Sequence, residues 1–349
     1  MGPAPLASDA TGSGFQDYGW VSGRATAVAI DPADPTGSTV FVGGAYGGVW
    51  KSTNATDGSF GNASGVVWTP VGDNQATMSV GSIAIQPRNN NPANSVVLVG
   101  TGETNPSIDS YYGLGILRST DSGDTWTLIA ESSDSPARPL AGFGFSKIAF
   151  STSNPNLVVA AAASATQGFL DGLENPVTLN RGIYYSTDAG ASWRFASIKD
   201  AGITVDPGSV TAVVYNATAT KFFSAVRYHG IYSSSDGINW SRLALQPGTG
   251  LTGAACPAQP TSGSCPIYRG EFAVVPGRNE MYVWYVDASD QNQGIFKTSD
   301  AGASWTSLNV SGITNCGDIF GGCGTSQGFY NLELAAVRTA QALIFMPER

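Results

Sequence analysis

Three carboxylates, Glu103, Asp109 and Glu271, sit in short segments that mix glycine with tyrosine, in a chain of 349 residues of which only 12% are charged. Residues 102–113 read GETNPSIDSYYG and supply Glu103, Asp109, Tyr111 and Tyr112, while IYRGE at 267–271 sets Tyr268 and Arg269 beside Glu271. Further segments of this kind carry Tyr46 (GGAYGG), Arg227, Tyr228 and His229 (RYHG), Tyr330 (GFYN), and the acids Asp171 and Glu174 in a longer loop. Tyrosine faces pack on sugar C–H surfaces, and acids accept hydrogen bonds from hydroxyls. Two carboxyl groups about 5 to 9.5 Å apart are what glycoside hydrolysis requires. Glu103 or Asp109 facing Glu271 would make such a pair. Tyr46, Tyr111, Tyr112, Arg227, Tyr268, Arg269 and Tyr330 are then the candidate ligand-binding residues. His229, the single histidine, is either a general base or a loop residue. No Ser–His–Asp arrangement, phosphate loop or metal-ligand cluster stands out, so no cofactor or metal is expected.

Bulk properties narrow the partners. The formal charge of −9 argues against a nucleic-acid backbone as ligand. No run approaches 18 apolar residues, so no membrane span is expected. The first residues, MGPAPLASDATGSGF, lack the charged and apolar regions of a signal peptide. The four cysteines form two close pairs in turn-rich loops, Cys256 with Cys265 and Cys316 with Cys323. Disulfides pinning loop tips fit this spacing better than zinc, which wants two-residue spacing and more histidine. They point to an exported, secreted or periplasmic setting whose signal segment precedes the chain.

These side chains must be positioned by a repeat. STDSGDTW (119–126), STDAGASW (186–193), SSDGINW (234–240) and TSDAGASW (298–305) are variants of one phrase. Aligned on tryptophan, Trp68, Trp126, Trp193, Trp240 and Trp305 follow at intervals of 58, 67, 47 and 65 residues. Before each phrase stands a glycine-led apolar run, such as GILRST or GIYYST, and before that two more strand-like runs separated by turn formers. A short strand follows the tryptophan. Each unit is thus four strands: two buried, a third half-buried and a fourth after the phrase. Such a sheet cannot bury both faces alone, and radial stacking hides them. The expected fold is an all-β propeller of four-stranded blades, five complete and a sixth begun by GFYNLELAAV, with seven expected in a closed ring.

The phrase resembles the Asp box, or BNR repeat, of propellers that include sialidases, xyloglucanase-type hydrolases, sortilin-like receptors and many exported bacterial proteins. The resemblance spans roughly residues 20–310. The first unit departs from it, with an insertion and Asn54 where the aspartate falls, and the fourth phrase is one residue short. Asp121, Asp188, Asp236 and Asp300 read as self-bonded turn residues, with Trp126, Trp193, Trp240 and Trp305 wedged between sheets. The resemblance implies that these corners lie opposite the ligand face. Ligands would then meet the loops joining second strand to third and those joining one blade to the next. It implies either a glycan-binding, glycoside-hydrolase-like protein or a non-catalytic propeller that binds a protein ligand at that top face. Arg24, Arg227 and Arg269 could clamp a carboxylate as in sialidases, but the usual phrase around the first arginine is replaced by SGRATAVAI. The xyloglucanase-type aspartate before GGAY is replaced near Val42. Residues 1–20 read as an extension, 21–337 as the propeller and 338–349 as an atypical tail of the kind a lost nucleotide produces.

Overall fold

The computed structural model describes residues 6–7, 20–21, 24–58, 64–105, 110–174, 180–205, 208–248, 265–289, 292–308 and 332–336. Their principal unit is an antiparallel sheet in sequential strand order, present five times. Blade 1 is Ala25–Ile30, Val40–Gly44, Gly48–Ser52 and Thr69–Pro70. Blade 2 is Val80–Ile85, Val97–Thr101, Ile116–Ser119 and Thr127–Ile129. Blade 3 is Phe143–Phe150, Val158–Ser164, Gly182–Ser186 and Arg194–Phe195. Blade 4 is Val210–Asn216, Lys221–Val226, Gly230–Ser234 and Asn239–Arg242, and blade 5 is Arg269–Val274, Met281–Val286, Asn292–Thr298 and Thr306–Ser307. The first strands of successive blades touch one another, so they line a common axis and the fold is a β-propeller.

Each interface between blades holds one apolar cluster. Phe41 and Val49 of blade 1 meet Val97, Val99 and Leu117 of blade 2. Leu98 and Ile116 on the other face of blade 2 meet Phe143, Phe145 and Tyr184 of blade 3. Comparable clusters join blades 3 to 4 and 4 to 5. Because both faces are packed, second strands such as VLVGT and MYVWYV are buried throughout and show no alternation. Residues 332–336 place Leu332 and Leu334 against the last face of blade 5, where a sixth inner strand was expected, but form no ladder there. The first strand of blade 1 departs from the expected burial. Its face turned away from blade 2 leaves Val28 69% and Ile30 61% exposed.

The repeated phrase is a corner between third and fourth strands. In blade 3, Ser186 Oγ and Ser192 N–H donate to Asp188 Oδ1 at 2.7 and 2.9 Å, and Ser192 Oγ donates to Oδ2 at 2.6 Å. Gly190 N–H closes the turn on Ser186 Oγ at 2.8 Å. The same bonds recur at Asp121 and Asp300, and at Asp236 with one residue fewer. In blade 1, Asn54 Oδ1 accepts from Val67 N–H at 2.9 Å, as the aspartates do in their turns. Its amide also donates to Asp57 and to Gly65 O at 2.9 and 2.8 Å, which a carboxylate cannot do, so asparagine suits the inserted loop.

The turn glycine does more than turn. Gly190 has φ +81°, and a Cβ there would lie 2.6 Å from Leu98 of the preceding blade. Each corner is therefore seated on its neighbour. The tryptophans divide into two kinds. Trp193 and Trp240 are fully buried, whereas Trp126 and Trp305 are half-buried and pack against the clusters between blades 1 and 2 and between blades 4 and 5. Added edge segments account for the difference. Ser133 N–H bonds Trp193 O at 2.7 Å, and Ile198 pairs with Trp240. Trp126 and Trp305 instead reach back, their indole N–H groups donating to Val71 O and Leu245 O at 2.7 and 3.2 Å.

Blade 4 also has more than four strands. Ser197–Asp200 and Ile203–Thr204 form a hairpin, and Ser197–Asp200 pairs parallel to Asn239–Arg242 at the sheet edge. Its two-residue turn, Ala201–Gly202, has φ +49° and +84°, the backbone that suits tight hairpins. Close to the axis, hydroxyls stitch the first strands together. Thr26 donates to Val80 O at 2.6 Å, Ser82 to Phe145 O at 2.9 Å and Ser146 to Val210 O at 2.8 Å. Register shifts beside Thr26 and Ser146 mark bulges that turn these side chains toward the next blade.

Two measurements test the corner. Gly190→Ala adds backbone strain and a clash with Leu98, and is expected to cost about 2–4 kcal/mol in urea unfolding. Gly172→Ala, where φ is +71° and the space is open, should cost only about 1 kcal/mol. Hydrogen bonding from Thr125 and Ser304 holds Asp121 and Asp300 down to about 2, below the ordinary 3.8. That contribution to stability is complete above pH 3.8 and is lost as pH falls toward 2. Unfolding midpoints at pH 5 and 2.5 should therefore diverge, and diverge less when Asp121→Asn and Asp300→Asn are combined.

Candidate functional site

Strand pairing sorts the loops by face. The start of each first strand lies opposite the end of the second, as in Ala25 with Gly44, Val80 with Thr101, Phe143 with Ser164, Val210 with Val226 and Arg269 with Val286. Arg24, Tyr46, Glu103, Tyr111, Arg227, Tyr268 and Arg269 therefore gather at one end of the blades. The corner serines sit opposite second-strand starts, as in Ser119 with Val97, so the corners occupy the other end. A groove of about 490 Å³ between blades 4 and 5 lies at the corner end, lined in part by Asp300, Lys221 and Asn279. The Asp300 carboxylate there is already committed to its own turn.

The end opposite the corners holds three groups of side chains. Across blades 1 and 2, Arg24 and Glu103 form an ion pair, and Asn105 donates to the other Glu103 oxygen at 3.2 Å. Glu103 is 1% exposed. Its N–H is held by Tyr111 O at 2.8 Å, which fixes the loop carrying the tyrosines. Tyr46 and Tyr111 meet edge to face at 5.0 Å, and Tyr112 stacks on Tyr111 at 6.5 Å. Tyr46 and Tyr111 remain 41% and 50% exposed. Packed aromatics that keep half their surface open offer a rigid apolar platform.

Nearer the axis, Lys147 of blade 3 lies 3.3 Å from Glu271 of blade 5 and 3.2 Å from Glu333. Burial, reinforced by Glu333, pushes the Glu271 carboxyl above its usual range despite Lys147 and Arg269. Burial opposes the Lys147 charge, but the two carboxylates outweigh it and hold the ammonium above its ordinary value. Arg269 donates to Leu332 O at 3.3 Å. Burial lowers its pKa, while Glu271 and, more weakly, Glu103 support its charge.

The third group spans blades 3 to 5. Glu174 pairs with Arg181, whose Nη1 donates to Ser209 Oγ at 3.1 Å. Ser209 Oγ lies 3.3 Å from Ser164 Oγ, which accepts from Arg227 Nη1 at 3.3 Å. Arg227 Nε donates to Tyr268 O at 3.2 Å, and its guanidinium lies 4.3 Å from the Tyr268 ring centre. Burial pushes Glu174 up to about 7, against the pull of Arg181 and Arg227.

Two of the three carboxylates singled out for catalysis, Glu103 and Glu271, pair with different cations. Glu103 and Glu271 are buried at 1% and 3% exposure, and each faces a cation of its own protein. Asp109, Tyr330, Cys256, Cys316 and Cys323 lie outside the described residues. Cys265 is disulfide-bonded. His229 N–H closes the blade 4 turn on Val226 O at 3.0 Å. Lys147, Arg181 and Glu333 were missed by sequence reasoning. A lysine inside the apolar strand FGFSKIAF was a usable signal, because a charge at an inner position needs a partner. Among the described residues no cluster of three or more His, Cys, Asp or Glu could hold a metal, and no helix is long and apolar enough to cross a membrane.

No protein-family description matches this chain, and no curated protein matches it in sequence. Its backbone resembles an ancestral GH74 enzyme, with a TM-score of 0.54 at 20% identity over 83% of this chain and 31% of that one. A GH74 xyloglucanase from Xanthomonas campestris matches at 17% identity and a TM-score of 0.28, covering 81% of this chain and 45% of that one. YCF48 from Cyanidioschyzon merolae matches at 13% identity and a TM-score of 0.38, over 82% of this chain and 85% of that one. The chain thus spans less than half the length of those two GH74 enzymes. At such identity the likeness is one of fold.

The raised Glu174 carboxyl gives a direct test. Its folded value of about 7 exceeds the ordinary 4.5, so its contribution to stability is present below pH 4.5 and lost as pH rises through about 7. Carbon-detected NMR of labelled glutamate should show a carboxyl titrating near pH 7 that disappears in Glu174→Gln. The unfolding stability of the unmodified protein relative to that variant should fall between pH 5 and 8.

Proposed function

We propose that this chain is a glycan-binding Asp-box β-propeller of an exported protein, related in architecture to glycoside hydrolases. The observation that carries this reading is the open tyrosine platform of Tyr46, Tyr111 and Tyr112 beside a mouth lined with ion pairs. Rigid aromatic faces with neighbouring charged hydrogen-bonding groups match the alternating C–H and hydroxyl surface of a sugar chain. The fold likeness to an ancestral GH74 enzyme supports the same reading. The self-bonded corners support the Asp-box assignment. The disulfide at Cys265 supports an oxidising compartment.

Binding is favoured over hydrolysis. Glu103 and Glu271 each spend their charge on a protein cation, whereas a hydrolytic pair must face a bond between them. If Glu271 acted as the proton donor, turnover would persist at neutral pH and fall at higher pH, because its carboxyl is held above the usual range. A receptor-like role, with a protein ligand on the same face, is the competing reading.

Glycan-array binding and calorimetry with oligosaccharides decide between them. Tyr111→Ala is expected to weaken binding roughly fivefold or more through loss of the aromatic face, with the melting temperature little changed because the ring is half exposed. A chromogenic-glycoside panel should show no turnover. An array with no glycan bound would overturn the assignment.

A further inference from the structure

The outer strand of a blade turns alternate backbone groups away from its sheet, and an open edge of that kind is a template for another strand. Val71, Ala196, Leu243 and Leu308 donate inward, to Val49 O, Ile183 O, Ile231 O and Ile295 O, in blades 1, 3, 4 and 5. By alternation the residue before each, Pro70, Phe195, Arg242 and Ser307, turns its backbone nitrogen outward. In blade 1 that residue is proline and has no N–H to offer. In blade 3, Ser133 N–H takes Trp193 O at 2.7 Å, and Phe195 N–H is met by Asp134 Oδ2 at 3.0 Å. In blade 4, the segment Ser197–Asp200 pairs parallel to the outer strand and leaves Ile198 only 1% exposed beside Trp240. In blade 2, residues 139–140 fold back on the end of the outer strand, with Leu140 N–H donating to Ala130 O at 2.9 Å.

Blade 5 is built otherwise. Thr306 and Ser307 are both exposed, and Trp305 stays half-buried. Ser307 pairs with Phe296 and Thr306 with Lys297, as Pro70 pairs with Trp50 and Thr69 with Lys51. An outward N–H therefore stands where blade 1 has proline. The groove of about 490 Å³ between blades 4 and 5 adjoins this strand through Trp305. Its walls include Leu243 and Leu245, the second of them 48% exposed. The Trp305 indole N–H donates to Leu245 O at 3.2 Å, and Leu243 packs in the same cluster as the indole. Asp300 is committed to its own turn, so Lys221 is the charge that the groove presents. The chain itself shows what such a place receives. In blade 4 an extended parallel segment delivers Ile198 to the side of a corner tryptophan, and Asp200, two residues on, lies 3.7 Å from the cation Arg242.

We propose that the outer edge of blade 5 is a peptide-binding site, distinct from the cluster of Tyr46 and Tyr111 at the other end of the blades. An extended segment of a protein partner adds parallel to Thr306–Ser307 and seats an apolar side chain beside Leu243, Leu245 and Trp305. An acidic residue of the same segment meets Lys221. The two lie two positions apart, on one face of the added strand, as Ile198 and Asp200 do in blade 4. Main-chain bonds with Ser307 N–H and Trp305 O supply affinity, while the groove and Lys221 supply the selection.

A random dodecapeptide display library panned on the full chain, followed by calorimetry with the enriched peptides, tests the site. The enriched sequences are expected to carry an apolar residue and an acid two positions apart. Ser307→Pro copies the proline of blade 1, removes the outward donor and should weaken binding about tenfold or more. Leu245→Glu, at an exposed wall of the groove, should do the same. Lys221→Glu should weaken binding about fivefold, and a peptide with lysine in place of its acid should recover the loss. Thermal unfolding checks that each variant is folded. Tyr111→Ala should leave peptide binding unchanged. Failure to enrich any peptide overturns the site, as does binding that survives both Ser307→Pro and Leu245→Glu. Binding lost in Tyr111→Ala puts the peptide at the other end of the blades and also overturns it. Glycan binding is read separately on the array, so neither result decides the other.

Discussion

A carboxylate that satisfies its own turn is the constraint on which the rest of the molecule depends. Asp121, Asp188, Asp236 and Asp300 each gather hydrogen bonds from a corner that would otherwise expose unpaired backbone donors. The corner then presents a residue without a side chain to the blade before it. Leu98 fills the space at Gly190, and Val159 does so at Gly237. A local device thereby becomes an interface device. Turn geometry fixes how far apart neighbouring sheets sit, and the apolar clusters between blades close around that spacing. The aspartates are thereby occupied within their own turns.

The two ends of the blades are built on different physical terms. At the corners, the aspartates are satisfied within a handful of residues, and Lys51 and Arg118 donate to the corner of the next blade. The opposite end includes pairs made over long sequence distances, as in Arg24 with Glu103 and Lys147 with Glu271. Such pairs form only once blades have stacked. They add less to net stability than their short contacts imply, because desolvating both partners offsets much of the attraction. What they impose is position. Lys147 ties the first strand of blade 3 to that of blade 5 and to residue 333 across the axis, and Glu103 holds the tyrosine loop through its backbone.

Much of the fold was legible because it is written locally. Recurrence of tryptophan, a glycine-led strand and a serine–aspartate pair are short-range signals, and the strands they mark are present in all five blades. The hairpin at 197–204 was readable too, in Ala201–Gly202 between two short polar–apolar runs. The candidate site was less legible. Tyr46, Tyr111, Arg227 and Tyr268 do gather at one end, as loop position required. However, Glu103, Glu174 and Glu271, which composition presents as solvated acids, are buried by neighbours from other blades. Burial of that kind is a property of stacking, invisible in a segment of ten residues. Lys147 was overlooked for the converse reason: its strand reads as core, and its partners lie 124 and 186 positions away in sequence.

The hydroxyl stitches near the axis add one thing more. Thr26, Ser82 and Ser146 all donate forward, from a blade to the one after it. Their O–H dipoles therefore run around the axis in a common rotational sense, tangent to it and not along it. Dipoles in such a circulation largely cancel on the central line. The hydroxyls thus add little polarity along the axis, where the formal charges of Lys147, Glu271 and Glu333 set the field. Replacing one of those charged side chains changes the field along the axis, while the hydroxyl stitches leave it almost untouched.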